Sequence, residues 1–312
     1  MNPPLHLTLR QLQIFLSVAR AGTTMAAGDA LALSQSATSS AVKELERLIG
    51  LPLFDRIGKR LVLNDNGRAL LPRAMALLDG AQGIESMGRP SSAQAHALRI
   101  GASTTIGNYV LPGLLSRFYA GQGLTHAGGW EAKVTIANTA AICERVANFE
   151  LDIGLIEGPS HVSVVDVHDW VEDELVLVGS PHCEWCGKYS REGRTVPLRS
   201  LREAVWLLRE PGSGTREMTD QFFLPVLRMY RRSIELGSSE AIKRGVAQGL
   251  GIACLSRWAV GDALDTGELC ALRTSLPRLR RPCYWIKHSA REMTAGLQAF
   301  VDCIDQPGAT PR

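Results

Sequence analysis

The sequence predicts two fold classes in one chain: a short all-α segment closed by a β-hairpin and a long helix, followed by a larger α/β unit. Three observations predict this. Over the first ninety residues apolar positions recur at spacings of three and four, the period of helices with one buried face. From Leu98 onward short apolar runs alternate with helical stretches, the pattern of mostly parallel strands joined by crossover helices. At 312 residues, 45% hydrophobic and 21% charged, the chain has ordinary globular composition and material for two or more domains.

The elements follow in order. LTLRQLQIFLSVARAG places Leu9, Leu12, Phe15, Leu16 and Ala19 on one helix face, and Gly22 ends the helix. TTMAAGDALAL predicts a short second helix, capped by Thr23 or Thr24 and burying Ala26, Ala27 and Ala30 or Leu31. Gly28 inside it costs about 1 kcal/mol relative to Ala, so packing must hold this helix. The third helix runs from Ser34 as N-cap to Ile49, with Ala37, Ala41, Val42, Leu45, Leu48 and Ile49 as its apolar side and Gly50 as its stop.

Five of the seven residues from Ser34 to Ser40 carry a hydroxyl, far more than a cap requires. The polar side of that helix is Gln35, Ser36, Thr38, Ser39, Ser40 and Lys43. These are slim hydrogen-bonding groups with one positive charge, as a helix entering the major groove of double-stranded DNA needs. Next, in LPLFDRIGKRLVLND, two apolar runs flank a turn at Ile57-Gly58-Lys59-Arg60. This is a hairpin with a cationic tip, a wing that places Arg56, Lys59 and Arg60 near phosphate. The net charge is only +3, and up to Pro90 there are ten Lys and Arg against seven Asp and Glu, so DNA binding must come from local placement. Three short helices with a Ser-rich cap also occur in proteins that never touch DNA. From Asn64 to about Ser86 one long helix is predicted, with Leu70, Leu71, Ala74, Leu77, Leu78, Ala81 and Ile84 on its apolar side and Pro72 expected to kink or restart it. Residues 89–97, RPSSAQAHA, read as a polar connector.

In the α/β unit, LRIGA, KVTIA, LDIGLIEG, DELVLVGS, AVWLLRE and IELGSS supply the strands. Ligands of such folds bind beyond the C-terminal ends of strands. Three of those ends carry the same chemistry: Ser103, Thr104 and Thr105; Ser213, Thr215 and Arg216; and Ser238 and Ser239, each opening a helix. Asn138, ahead of a helix from about Thr139, is a further candidate. Free backbone donors at helix N-termini, with hydroxyls beside them, favour a small anionic effector, although each hydroxyl taken singly is also an ordinary N-cap. Seven cysteines, an odd number without dense pairing, fit reduced thiols. Cys183 and Cys186 follow VLVGSP in an expected surface loop. Zinc there would need two more ligands, for which His161, His168 and His182 are loosely placed, and a redox role would need a lowered thiol pKa, so no metal site or cofactor is expected.

No G-x-S-x-G elbow, phosphate loop, H-E-x-x-H or clear carboxylate pair is present, so no enzyme is expected. With no secretory-type leader and no apolar stretch of membrane-spanning length, a cytoplasmic protein with no membrane partner is expected.

The ordered features from Leu9 to Leu71 resemble the N-terminal winged helix-turn-helix of LysR-type transcriptional regulators: the Leu-Phe helix, Ala26-Ala27, Ser34-Gln35-Ser36-Ala37, Leu45-Glu46, Gly50, Leu53-Phe54-Asp55-Arg56 and Gly67. Many family members carry Pro at the position of Ser36 and Arg at that of Ser40, where this chain departs. The resemblance implies base or phosphate contacts by Gln35, Ser36, Ser39 and Lys43. It also implies a DNA-binding domain over residues 1–63, a linker helix over 64–88 that pairs in a homodimer or homotetramer, and a periplasmic-binding-protein type II-like effector domain over 98–305. That domain would have two subdomains, 98–162 with 268–305 and 163–267, with chain crossings near 160–168 and 262–270 and a tail from 306. Glu157 would face the cleft between them and oppose an anion unless Arg216 or another cation offsets it. TTIGNYVLPGLL, DIGLIEGP, LREPGSGTRE and LGSSEAIKRGVAQGLGIACLSR are similar to the YeiE- and CysL-like branch, associated with sulfur assimilation, so sulfite or a related oxyanion is the effector the resemblance implies. The alternatives are a solute-binding-type sensor of a small organic acid, which has no use for the wing, and an enzyme on an α/β scaffold, for which no nucleophile or acid-base pair is evident.

Overall fold

The computed structural model describes residues 6–86, 98–121 and 133–306. The expected connector over 89–97 and the tail beyond residue 306 lie outside them. The chain divides into two compact units, a smaller one built on the residues up to Arg89 and a larger one on those after it.

The smaller unit contains α1 (Leu9–Ala21), α2 (Thr24–Leu31), α3 (Gln35–Ile49), β1 (Phe54–Ile57), β2 (Arg60–Leu63) and α4 (Asp65–Ser86). Local chemistry sets the boundaries. Thr8 and Gln11 form a reciprocal capping box at α1, Thr23 and Ser34 cap α2 and α3, and Gly22 and Gly50 close α1 and α3 in the left-handed region. Leu12, Phe15, Leu45, Leu53, Ala74 and Leu78 form one core cluster, and Ile14, Val18, Ala27 and Val42 a second. Leu9 stays exposed, while Ile14 and Val18 join the buried face of α1.

Three expectations are corrected here. The buried face of α3 is Thr38, Val42 and Leu45, and Ala37 is exposed. The cause is Gly28, one turn before the end of α2. A Cβ at Gly28 would stand 2.7 Å from the Leu33 carbonyl oxygen and 3.0 Å from Thr38 Oγ1, so α2 meets α3 through a bare backbone and Thr38 fills that contact. For the same reason α2 buries Ala27 and Gly28 while Ala26 and Ala30 are exposed. Nor does Pro72 restart the long helix: α4 runs as one element for 22 residues, since one missing donor inside many turns is a local loss.

The larger unit is built on a mixed sheet in the order β10 (Cys270–Ala271), β6 (Val165–Gly179), β11 (Leu279–His288), β5 (Ile153–Glu157), β3 (Arg99–Ser103) and β4 (Lys133–Ala137), with β9 (Ala253–Ser256) also paired to β6. β3 is parallel to β4 and β5, joined through α5 (Thr104–Tyr109), α6 (Leu111–Gly121) and α7 (Thr139–Ala147). A second small parallel sheet pairs β7 (Val205–Leu208) with β8 (Arg232–Glu235). Around it lie α8 (Glu184–Arg191), α9 (Leu198–Glu203), α10 (Gly214–Leu227), α11 (Ser239–Ala247) and α12 (Arg257–Asp265); α13 (Ala295–Ile304) packs on the first core.

β6 and β11 are the two long strands that pass from one subdomain to the other, paired antiparallel from Leu279 opposite Leu175 to His288 opposite Val165. The return crossing therefore lies in 279–288 and not in 262–270. Residues 270–271 pair with Val178 and Gly179 at the far end of β6, and Leu272 packs in the second-subdomain core with Trp206 and Phe223. Most of the 262–270 stretch is the end of α12 and the turn at Gly267 that closes it.

Candidate functional site

α3 presents Gln35, Ser36, Ala37, Ser40 and Lys43 to solvent, with Ser39 half-buried. Ser34 Oγ accepts from the Ala37 amide at 3.1 Å and lies 3.0 Å from Ser36 Oγ, and Gln35 Nε2 donates to Thr24 Oγ1 at 3.0 Å. Thr38 does not join this face. It is fully buried, and its hydroxyl donates to the Ser34 carbonyl at 3.0 Å, so its expected DNA contact is sterically closed. The small methyl of Ala37 takes the outward position, which keeps the first turns slim. The wing turn is Gly58-Lys59, between paired Ile57 and Arg60; φ of +62° at Gly58 is what the first position of such a tight hairpin demands. Arg56, Lys59 and Arg60 are all exposed. Three contacts hold the hairpin to the helices: the Leu61 amide donates to Gly22 O at 2.8 Å, and the Leu53 amide to Glu46 Oε1 at 2.8 Å. Gly67 completes the set, because a Cβ there would stand 2.1 Å from Leu53 O.

In the larger unit, the predicted strand ends do meet, around two arginines that the sequence reading passed over. Arg209, directly after β7, is 2% exposed. Its Nη1 donates to Ser239 Oγ at 2.9 Å and its Nη2 to Thr104 Oγ1 at 3.2 Å, bridging the first residues of α11 and α5 across the two subdomains. Glu210 holds the guanidinium with two 2.8 Å hydrogen bonds, and Asn138 Nδ2 reaches Glu210 at 3.3 Å. Burial works against the Glu210 charge, but the hydrogen bonds from Arg209 outweigh it and hold this carboxyl below the usual range. Tyr109 donates to Glu240, adding a further bridge.

Arg281, on β11, is fully buried. Its Nε and Nη2 lie 2.8 and 2.7 Å from Asp173 Oδ2, its Nη1 donates to Thr215 Oγ1 at 2.8 Å, and Glu157 Oε1 is 3.7 Å away. Burial pushes the Asp173 carboxyl up against the pull of Arg281, while Ser256 donates to its other oxygen at 2.9 Å. The cation that offsets Glu157 is thus Arg281. Arg216 does not do so: its Nε pairs with Asp220 at 2.8 Å and its Nη1 with the Arg209 carbonyl at 2.9 Å. Thr139 Oγ1 donates to Glu157 O at 3.0 Å and accepts from the Gly214 amide at 3.2 Å; a Cβ at Gly214 would overlap Glu157 O at 1.8 Å, so bare backbones meet here.

Among the predicted residues, Thr104, Asn138, Ser239, Glu157 and Thr215 are therefore brought together, with Ser103 and Thr105 buried beside them and their hydroxyls unpaired. Ser213 and Ser238 cap their own helices, accepting from the Arg216 and Ala241 amides. Signals for the two arginines were present. Arg209 ends an apolar run at a strand terminus, and Arg281 shares with Leu279 and Cys283 the inward face of an alternating strand. Cys183 and Cys186 differ from expectation too, lying in the first turn of α8 and not in a loop. Among the described residues no group of His, Cys, Asp and Glu is arranged to hold a metal, and no helix is long and apolar enough to cross a membrane.

Comparison with known proteins matches this division. Residues 9–68 fit the model of the bacterial regulatory helix-turn-helix protein of the lysR family, and residues 91–307 that of the LysR substrate binding domain. The HTH-type transcriptional regulator YeiE of Escherichia coli K12 is 42% identical over 308 residues, covering 99% of this chain and 100% of its own. CysL of Bacillus subtilis is 28% identical over 298 residues, covering 94% and 95%. A full-length OxyR variant from Pseudomonas aeruginosa superposes with a TM-score of 0.73 at 21% identity, covering 98% of this chain and 97% of its own, which places the larger unit in the periplasmic-binding-protein type II-like fold. The chain is not an enzyme by this kinship: it belongs to the LysR family of ligand-responsive, DNA-binding transcriptional regulators.

Proposed function

We propose that this regulator reads promoter DNA with the outer face of α3 and that its cleft binds a small oxyanion, sulfite or a close relative. In this reading Gln35, Ser36, Ser39, Ser40 and Lys43 approach base edges or phosphates, with the Ala37 methyl beside them, and Arg56, Lys59 and Arg60 of the wing meet phosphate. The observation that supports the anion is Arg209. A guanidinium spanning the first turns of two helices, with hydroxyls at both, is the donor set an oxyanion needs, and only Glu210 competes for it. Ser103, Thr105 and Ser239 supply neutral donors around that charge, Thr104 donating to the Ala137 carbonyl, while Glu157 and Thr215 stay committed to Arg281. Asn138 releases Glu210 as the anion enters.

The bridges across the cleft also suggest how binding is transmitted. Anion binding replaces Glu210 on Arg209 and changes how the two subdomains are tied, which shifts DNA binding if the two arrangements differ in ligand affinity. Exposed Leu77 and Ile84, seven residues apart on α4 and 56% and 71% accessible, support pairing of linker helices in a dimer or higher oligomer. We place the protein in the cytoplasm, where promoter DNA lies.

Calorimetry of the full chain with sulfite, sulfate and small carboxylates tests the cleft. The expected result is a one-site heat signal for sulfite that Arg209→Met abolishes and Arg216→Met leaves in place. Equal heats for wild type and Arg209→Met, or none with any anion, would remove Arg209 from the account.

A further inference from the structure

We infer that Cys183 and Cys186 are a thiol-disulfide pair, a redox modification site on the second subdomain that small acidic disulfides oxidise. The pair begins α8: Cys183 is the N-cap residue and Cys186 stands three residues on, and the Gly187 amide donates to the Cys183 carbonyl at 2.9 Å as the first helical turn closes. Helical geometry puts two such Cα atoms roughly 5 to 6 Å apart, inside the span a disulfide bridges. Cys183 makes no side-chain capping hydrogen bond, so the helix start does not tie up its sulfur. Gly179, the last residue of crossover strand β6, makes the room: a Cβ there would stand 2.8 Å from Cys186 Sγ. Cys270 is the third thiol of the cluster, and it is occupied with the Gly179 carbonyl at 3.4 Å.

The two sulfurs differ in access. Cys186 is 1% exposed, whereas Cys183 is half-buried; both, with Trp185, line a cavity of about 510 Å³ that Arg199, Arg232 and Glu203 also border. Burial, with the neighbouring thiols of Cys183 and Cys270, pushes the Cys186 thiol up, so it is the later reactant. Cys183, at the N-cap and half-buried, is the sulfur that an incoming disulfide meets first. The Cys183 thiolate attacks one sulfur of a disulfide RSSR, breaking the S–S bond and forming a mixed disulfide, and the departing thiolate takes up a proton. Cys186 then loses its proton to solvent as its sulfur attacks Cys183 Sγ, and the second thiol leaves. The two cysteines together lose two electrons and two protons, and RSSR gains them as two RSH. Arg199 and Arg232 border the cavity with one carboxylate, Glu203, which is itself paired with Arg231, so the balance favours a carboxylate-bearing disulfide such as oxidised glutathione. Transient disulfides of this kind are the form that occurs in reducing compartments.

The test exposes the reduced full-length chain to oxidised glutathione, alkylates the remaining thiols and maps peptides by mass spectrometry. The expected product is a Cys183–Cys186 disulfide, lighter by two hydrogens and reversed by dithiothreitol. Cys186→Ser should trap glutathione on Cys183, and Cys183→Ser should slow oxidation of Cys186 by at least about tenfold. A Cys183–Cys270 disulfide, oxidation of Cys186 at an unchanged rate in Cys183→Ser, or reaction confined to Cys303 would overturn the inference. Should a variant not fold, alkylation of the wild type by iodoacetamide decides: Cys183 must react before Cys186, and the reverse order contradicts the assignment.

Discussion

Arg281 exposes no atom, yet it faces two carboxylates, Asp173 and Glu157, on β6 and β5, the strands that flank its own in the mixed sheet. Removing it alone leaves two buried acids without a cation, so Arg281→Met should destabilise the larger unit by about 3 to 5 kcal/mol, read by denaturant unfolding. Gly28 is the corresponding position in the smaller unit. Gly28→Ala would improve helix propensity, but its Cβ meets the Leu33 carbonyl oxygen at 2.7 Å, and a net loss of roughly 1 to 3 kcal/mol follows. A gain in stability would show that α2 and α3 do not meet there. These residues also mark what the sequence disclosed. The hydroxyl-rich start of α3 was legible as a polar, solvent-facing turn, but a periodicity in apolar residues could not tell that Thr38 and Ala37 exchange sides, because that depends on a glycine on another helix. Arg209 and Arg281 were visible as cations within strand-like runs, but Thr104 and Ser239 around the first, and Asp173 and Glu157 around the second, lie far away in the chain, so why their burial is tolerated did not show.

Helix caps and glycine stops fixed most element boundaries from short-range chemistry, so α1, α3, the wing and the strand starts agree closely with the sequence pattern. The long-range pairing did not follow from it: the return crossing at β11 is set by its register with β6, which no local signal carries. Two predictions belong to elements. If the wing touches phosphate, Lys59→Ala and Arg60→Ala should each lower the slope of log affinity against log salt by about 0.9 without altering sequence preference, as measured by fluorescence anisotropy on duplex DNA. The second concerns the strand end at Glu210. Its folded pKa lies below its unfolded value, so its stabilisation is full above the ordinary carboxylate pKa of about 4.3 and disappears as pH falls through the lower folded value. Glu210→Gln should therefore be less stable than wild type at neutral pH, and the gap should close in acid; a gap independent of pH would exclude the charged bridge to Arg209.

The two units together make a ligand-responsive DNA-binding regulator, and in our proposal the bridged strand ends of the larger unit take the signal. The class of each unit was readable because helices and strands announce themselves by period, while the chemistry of the cleft was readable only as a set of helix-opening hydroxyls. Its cations, and the carboxylates that hold them, emerge once β7 and β11 are placed in space. Linker-helix pairing makes a further prediction: Leu77→Glu with Ile84→Glu should shift the protein to smaller species in light scattering, since both side chains are exposed in the isolated chain and charge cannot be buried in a helix pair. The most direct test of the whole account is a mobility-shift titration on the promoter beside its own gene, with and without sulfite. The account predicts a sequence-specific complex whose affinity or mobility changes with sulfite, and which Lys43→Ala weakens while Arg209→Met makes unresponsive. A complex indifferent to Lys43, or a sulfite response that persists without Arg209, would contradict it.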